Sequence, residues 1–199
     1  MKLPLDDRPV VVALAGPNGA GKTTFYFAHL QETGLRLVNA DILAADLGLP
    51  PYTAAQAADD LRRQLVAARE SFVFETDFSD PVGEKIGFLK DVASSGYNVI
   101  VCFIGLAGPD SSDQRVAMRV SQGGHDVPID KLRERFPRTM TNLKTAIREL
   151  PWVLVYDNED LRCPFRNIAV FDHGRPLFLA KALPAWFAAV AVCRVCIGR

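Results

Sequence analysis

Between Val10 and Thr24 the chain reads Val-Val-Val-Ala-Leu-Ala-Gly-Pro-Asn-Gly-Ala-Gly-Lys-Thr-Thr. A largely β-branched apolar run, suited to a buried parallel strand, enters a loop containing Gly16, Gly19 and Gly21 and leaves through Lys22 and Thr23 into a helical segment. The spacing is G-x-x-x-x-G-K-T, a phosphate-binding loop (P-loop). Small residues let backbone N–H groups curl around phosphate oxygens, and the helix N-terminus adds the positive end of its dipole. The predicted cradle is Gly16, Asn18, Gly19, Ala20, Gly21, Lys22, Thr23 and Thr24. Lys22 is placed to neutralise β/γ-phosphate charge, and the Thr23 hydroxyl to hold Mg²⁺. A glycine turn that merely joins strand to helix is the alternative, and the full spacing in its strand-to-helix context argues against it.

Such a loop demands a strand–helix alternation, and 199 residues suit one α/β domain, residues 1–199. Lysine plus arginine (23) equal aspartate plus glutamate (23), so no basic field suggests a nucleic-acid partner. No charged-then-apolar leader precedes the first strand, and the four cysteines suit a reducing cytoplasm. Cys193-x-x-Cys196 is a lone pair without a nearby histidine, half of a zinc site, and is read as helix packing. The apolar stretch at about 180–197 is interrupted by Lys181, Pro184 and Arg194, short of the roughly 20 clean residues a membrane span needs. A terminal helix docked on the core is expected, and no membrane partner.

After the P-loop, Lys22 to Glu32 predicts a helix stopped by Gly34, and Leu35 to Val38 a short strand. Asp41 then stands at the carboxyl end of that strand, where ligands of open α/β sheets bind; it is equally placed to cap the next helix. Thr53 and Gln56 read as a capping box for a helix with Ala54, Ala58, Leu61 and Leu65 inward. A third strand over 71–74 ends in Glu75-Thr76-Asp77-Phe78-Ser79, a set that suits a polar substrate or Mg²⁺-bound water and also ordinary turn chemistry. Asp80-Pro81 reads as the cap and first position of the following helix. The strand over 98–106 has no carboxylate after it, where a motor ATPase keeps its Walker B aspartate, which favours a small-molecule kinase.

From 109 to 137 the character turns basic, with Arg115, Arg119, Lys131, Arg133 and Arg135 about a Gly123-Gly124 hinge. Two short helices about that hinge predict a lid bringing cations to a transferring phosphoryl group, a solvated charged face being the alternative. His125 is read as a turn residue. Pro137 is expected to restart a helix with Met140, Leu143, Ile147 and Leu150 inward. A strand over 152–156 follows, ending in Asp157-Asn158, beside a nucleotide base or in a turn. His173-Gly174 then marks an antiparallel edge hairpin. The expected fold is an α/β P-loop NTPase, three-layered, with a mostly parallel sheet, a helical lid and this hairpin near the C-terminus.

Several of these segments taken in order, Gly16 to Thr24, Val38-Asn39-Ala40-Asp41, Phe74-Glu75-Thr76, Gly123 to Pro128 with Arg135, and Tyr156-Asp157-Asn158, resemble the zeta toxin family of P-loop kinases. The resemblance spans roughly residues 10 to 175. It implies a kinase using ATP or GTP with Mg²⁺, phosphorylating a sugar hydroxyl of UDP-N-acetylglucosamine, and blocked by a small antitoxin protein. By position it assigns Asp41 as base, Glu75 and Thr76 to the acceptor sugar, and Arg119 and Arg135 to the transferring phosphoryl group. Asp77 departs from the pattern, in which threonine is common there. Two other readings are an antibiotic or nucleoside hydroxyl as acceptor, and a nucleotide-responsive binding module that presents its C-terminal helix to a partner.

Overall fold

Strands that are apolar along almost their whole length must be covered on both faces, and two such strands form the centre of the sheet. They are Val10–Ala15 (β1), with every residue fully buried, and Asn98–Gly105 (β4). A computed structural model describes residues 5–121 and 127–191. Within these residues lies a seven-stranded sheet, completed by Arg36–Val38 (β2), Phe72–Thr76 (β3), Trp152–Asp157 (β5), Arg166–Asp172 (β6) and Arg175–Leu179 (β7). The order across it is β2-β3-β1-β4-β5-β6-β7. The first five are parallel, and β6 and β7 add the expected antiparallel hairpin, turning at His173 and Gly174 with positive φ at both.

The helices between them are Lys22–His29 (α1), Ala40–Leu47 (α2), Pro51–Ala67 (α3), Glu84–Ser94 (α4), Pro109–Ser121 (α5), Ile129–Glu149 (α6) and Ala185–Ala191 (α7). Alternation along β1 divides the core. Val12 and Leu14 pack with Phe25 and Leu30 on the α1 side, whereas Val11 and Ala13 face the layer of α3, α4, α6 and α7. Cys102 lies on the α1 side, where burial pushes its thiol up to about 12, so it packs as a small apolar residue.

Four helix boundaries differ from the sequence expectation. Helix α3 begins at Pro51, ahead of the Thr53–Gln56 box, because proline's fixed φ already suits a first turn. Helix α4 begins at Glu84 behind a left-handed Gly83, not at Asp80-Pro81, and the carbonyls of Asp77, Phe78 and Asp80 accept from α6 side chains that hold this stretch as a loop. Helix α6 runs unbroken through Pro137, its second half anchored in the core by Leu143, Ala146 and Ile147. Helix α7 starts only after Pro184, so residues 180–184 are not helical. The expected hinge at Gly123-Gly124, His125, the Cys193/Cys196 pair and the rest of the expected terminal helix lie outside the described residues, as does the side chain of Arg119.

Candidate active site

The loop from Gly16 to Gly21 leaves β1 and delivers Lys22 and Thr23 as the first two residues of α1. Gly16 has φ 139°, and a Cβ on it would lie 2.1 Å from the Ile104 carbonyl oxygen of the neighbouring strand. Glycine there is a requirement of both backbone shape and space. Gly21 caps α1 at φ 89°, leaving the helix N-terminus without a side-chain cap and its first N–H groups pointing into the loop. Lys22 Nζ donates to Gly16 O (2.9 Å) and Pro17 O (3.1 Å), spanning the ring of the loop.

Residues far along the chain hold this loop. Asn158, at the end of β5, donates from Nδ2 to Ala20 O (2.8 Å) and accepts at Oδ1 from Phe165 N (3.2 Å); its own N–H donates to Gly105 O (3.0 Å). Ser112 Oγ on α5 donates to Asn18 O, and Arg115 Nη2 reaches Asn158 O (2.6 Å) and Glu159 O (3.0 Å). The root of the predicted lid is thus tied to the P-loop. Arg115 serves as a tie, and Asp157 is occupied by Trp186 Nε1 (3.0 Å) and Arg166 (3.0 Å) rather than by a turn of its own.

The sheet order sets the opposite side of the site. Strand β3 lies beside β1 with Thr76 level with Ala15, and β2 beside β3, so Asp41, Glu75 and Thr76 emerge at the same carboxyl edge as the P-loop. Asn39 caps α2, accepting from Asp41 N (2.7 Å) and Ile42 N (3.2 Å), which replaces the predicted capping role of Asp41. The Asp41 carboxylate is exposed in the first turn of α2. Glu75 Oε1 is buried without a hydrogen-bond partner. Arg135 Nη1 lies 3.2 Å from Asp77 Oδ2, so this arginine of the predicted lid pairs with the loop after β3.

Below this edge is a second charged group. Arg62 is buried, pairs with Asp59 and stacks 4.9 Å above the Phe74 ring, and burial, with Arg63 adding to it, lowers its pKa to about 10. Lys85 donates to the same Asp59 (3.1 Å), and burial followed by Arg62 lowers its pKa. Sequence reasoning missed the α6 contacts altogether: Thr139 Oγ1 donates to Asp77 O (2.9 Å), and Asn142 Nδ2 donates to Phe78 O and Asp80 O (2.9 Å each). The available signal was Thr139 and Asn142 set among the apolar positions Leu132, Leu143 and Ala146.

The residues present fit a nucleoside triphosphate, through the glycine-built cradle and the open helix N-terminus. Among the described residues no group of three histidines, cysteines or carboxylates can hold a metal ion by itself, so Mg²⁺ would draw on Thr23, phosphate oxygens and water. A separate cavity of about 860 Å³, between α1 and β5–β7, is lined by Phe25, His29, Tyr156, Phe165, Asn167 and Phe178 among others. Its aromatic walls lack the backbone N–H array of the P-loop.

This architecture is a mostly parallel α/β P-loop fold. No family model and no curated protein matches the sequence. Solved structures do match in fold. The AvrRxo1-ORF1:ORF2 complex with ATP is 19% identical at TM-score 0.66, over 86% of this chain and 60% of that one. The PezAT toxin–antitoxin system of Streptococcus pneumoniae is 14% identical at TM-score 0.59, over 92% and 77%. A kinase candidate from Chloroflexus aurantiacus is 20% identical at TM-score 0.54, over 77% and 87%. The chain spans about three fifths of the matched chain in the AvrRxo1 complexes. At these identities the likeness is one of fold, and the fold is the one that the zeta-toxin resemblance implied.

Proposed function

We propose that the protein is a Mg²⁺-dependent kinase that moves the γ-phosphoryl group of ATP, or GTP, to a hydroxyl of a small polar acceptor, the sugar of UDP-N-acetylglucosamine being the first to assay. The observation that supports this reading is the sheet order: β2-β3-β1 adjacency brings the strand ends before Asp41, Glu75 and Asp77 to the same carboxyl edge as the P-loop. Triphosphate with Mg²⁺ supplies an activated phosphoryl group. The P-loop N–H groups and Lys22 bind and orient its oxygens, and Thr23 presents its hydroxyl to the cation. Asp41 orients the acceptor hydroxyl and takes its proton at a carboxylate oxygen, while Glu75 and Thr76 hold the acceptor. Arg135, with Arg119, stabilises charge on the group in transfer.

The ATP in the AvrRxo1 complex favours ATP over GTP here, and the protein pairs in the AvrRxo1 and PezAT structures support a small antitoxin-like partner. No helix among the described residues is long and apolar enough to cross a membrane, and the free thiols suit a cytoplasmic kinase. The described part of α7 buries Trp186, Phe187 and Val190, which disfavours a module that presents this helix to a partner.

Transfer from labelled ATP to UDP-N-acetylglucosamine tests the reading. Asp41→Asn should cut turnover about 100-fold or more while leaving ATP binding intact; Lys22→Ala should weaken both. Unchanged turnover in Asp41→Asn would remove the base assignment, and ATP binding unaffected by Lys22→Ala would remove the phosphate role.

A further inference from the structure

Asp80 is read from sequence as a helix cap, and the fold withdraws that role, since α4 starts only at Glu84. Its carboxylate is nonetheless shut away from solvent, and neither oxygen has a hydrogen-bond donor. An unpartnered buried carboxylate is costly, because desolvation is not offset by any bond. Its position is not left to chance. The Asp80 carbonyl accepts from Asn142 Nδ2 (2.9 Å), the Phe78 carbonyl accepts from the same amide, and the Asp77 carbonyl accepts from Thr139.

Two more orphaned atoms come from the elements that meet this loop. Glu75 Oε1, at the end of β3, is buried without a donor, and Arg138 Nε, one turn before Asn142 on α6, is buried without an acceptor. The neighbouring cations make their short contacts elsewhere, Lys85 and Arg62 to Asp59, Arg135 to Asp77, and the Arg138 Nη2 group to Glu134 (3.1 Å), and Lys85 reaches Asp80 only as a charge without a hydrogen bond. Among the described residues, the buried atoms without a partner are these three carboxylate oxygens and one N–H donor. A phosphate or carboxylate would bring only acceptors to three oxygens that need donors. An ammonium would satisfy oxygens and leave Arg138 Nε bare. Hydroxyl groups both donate and accept, and two adjacent hydroxyls match the two oxygens of one carboxylate.

On the kinase reading above, we infer that Asp80 is a specificity-determining residue of the acceptor site, accepting hydrogen bonds at its two carboxylate oxygens from a pair of neighbouring hydroxyls on the acceptor. Asn142 is a positioning residue that holds the Asp80 backbone for this purpose.

The test uses the full chain with Mg²⁺ and two readouts. In the first, phosphoryl transfer from ATP is measured with UDP-N-acetylglucosamine, glucose, glucosamine and ribose, and with deoxy analogues of whichever is phosphorylated. Asp80→Asn is expected to raise the acceptor KM about 10- to 100-fold, as loss of charge-assisted bonds does, with the KM for ATP unchanged. For the analogue lacking a hydroxyl next to the phosphorylated one, wild type and Asp80→Asn should differ by less than about threefold. An equal effect of Asp80→Asn on parent and analogue, or an unchanged acceptor KM, overturns the inference while the kinase reading stands.

In the second readout, calorimetry follows binding of the same four compounds in the presence of a non-hydrolysable ATP analogue. Binding to wild type that is lost in Asp80→Asn supports the inference even where no transfer occurs, in which case the kinase reading alone fails. If wild type neither binds nor phosphorylates any of the four, the Asp80 assignment is overturned. Asn142→Asp, which keeps shape and one acceptor but loses the amide donor, should raise the acceptor KM with kcat within about threefold of wild type. Circular dichroism melts of both variants separate these effects from loss of fold.

Discussion

Gly16 shows how one residue can be fixed twice, by the backbone it must adopt and by the atom it must avoid. Its φ of 139° is closed to ordinary side chains, and the Ile104 carbonyl oxygen would sit 2.1 Å from any Cβ. Gly16→Ala should therefore cost at least about 1–3 kcal/mol of stability and abolish nucleotide binding, read by thermal melting with and without ATP. A variant that melts like wild type and still binds ATP would refute this. Not every residue was so legible. The P-loop positions follow from their spacing, whereas Asn158 looks like a turn residue until the fold brings it 2.8 Å from Ala20 O. Asn142 and Thr139 show in sequence only as polar residues among apolar positions, and their partners, backbone carbonyls more than sixty residues away, leave no mark there.

At the scale of elements, α6 is the connector of the site. Its first turns carry Arg135, its middle clamps the loop after β3 through Thr139 and Asn142, and its last turns are buried with Leu143, Ala146 and Ile147. Proline's missing N–H and its clash with the preceding turn disfavour a helix that continues through Pro137. Tertiary contacts on both sides of Pro137 outweigh that local penalty, so the basic residues before Pro137 and the side chains that hold the loop after β3 share one continuous helix. Pro137 is exposed and no contact of its ring explains it. Pro137→Ala should restore a donor for the Arg133 carbonyl and stabilise the protein by about 1–3 kcal/mol, seen as a raised denaturation midpoint at unchanged m-value. A lowered midpoint would mean that the helix depends on proline's shape there.

For the molecule as a whole, the C-terminal segment closes the core. Trp186 and Phe187 lie beneath the sheet against Phe103 and Phe171, and the Trp186 ring would lie within 2.1 Å of any Cβ on Gly105. Truncation after Leu179 removes both aromatic side chains and should cost about 3–6 kcal/mol, a large share of the roughly 5–15 kcal/mol that holds a domain together. Urea unfolding of the truncated chain checks this, and an unchanged midpoint would show that α7 is dispensable. The strand–helix alternation, the buried runs of β1 and β4, the P-loop and the edge hairpin were determined by sequence alone, since each rests on local spacing, glycine placement and hydrophobic period. What only the tertiary structure decided is how Asp41, Glu75, Asp77 and Asp80 come to share one edge with Lys22. That grouping depends on strand order and on hydrogen bonds from α6, and such contacts between distant segments leave no periodic mark on the chain.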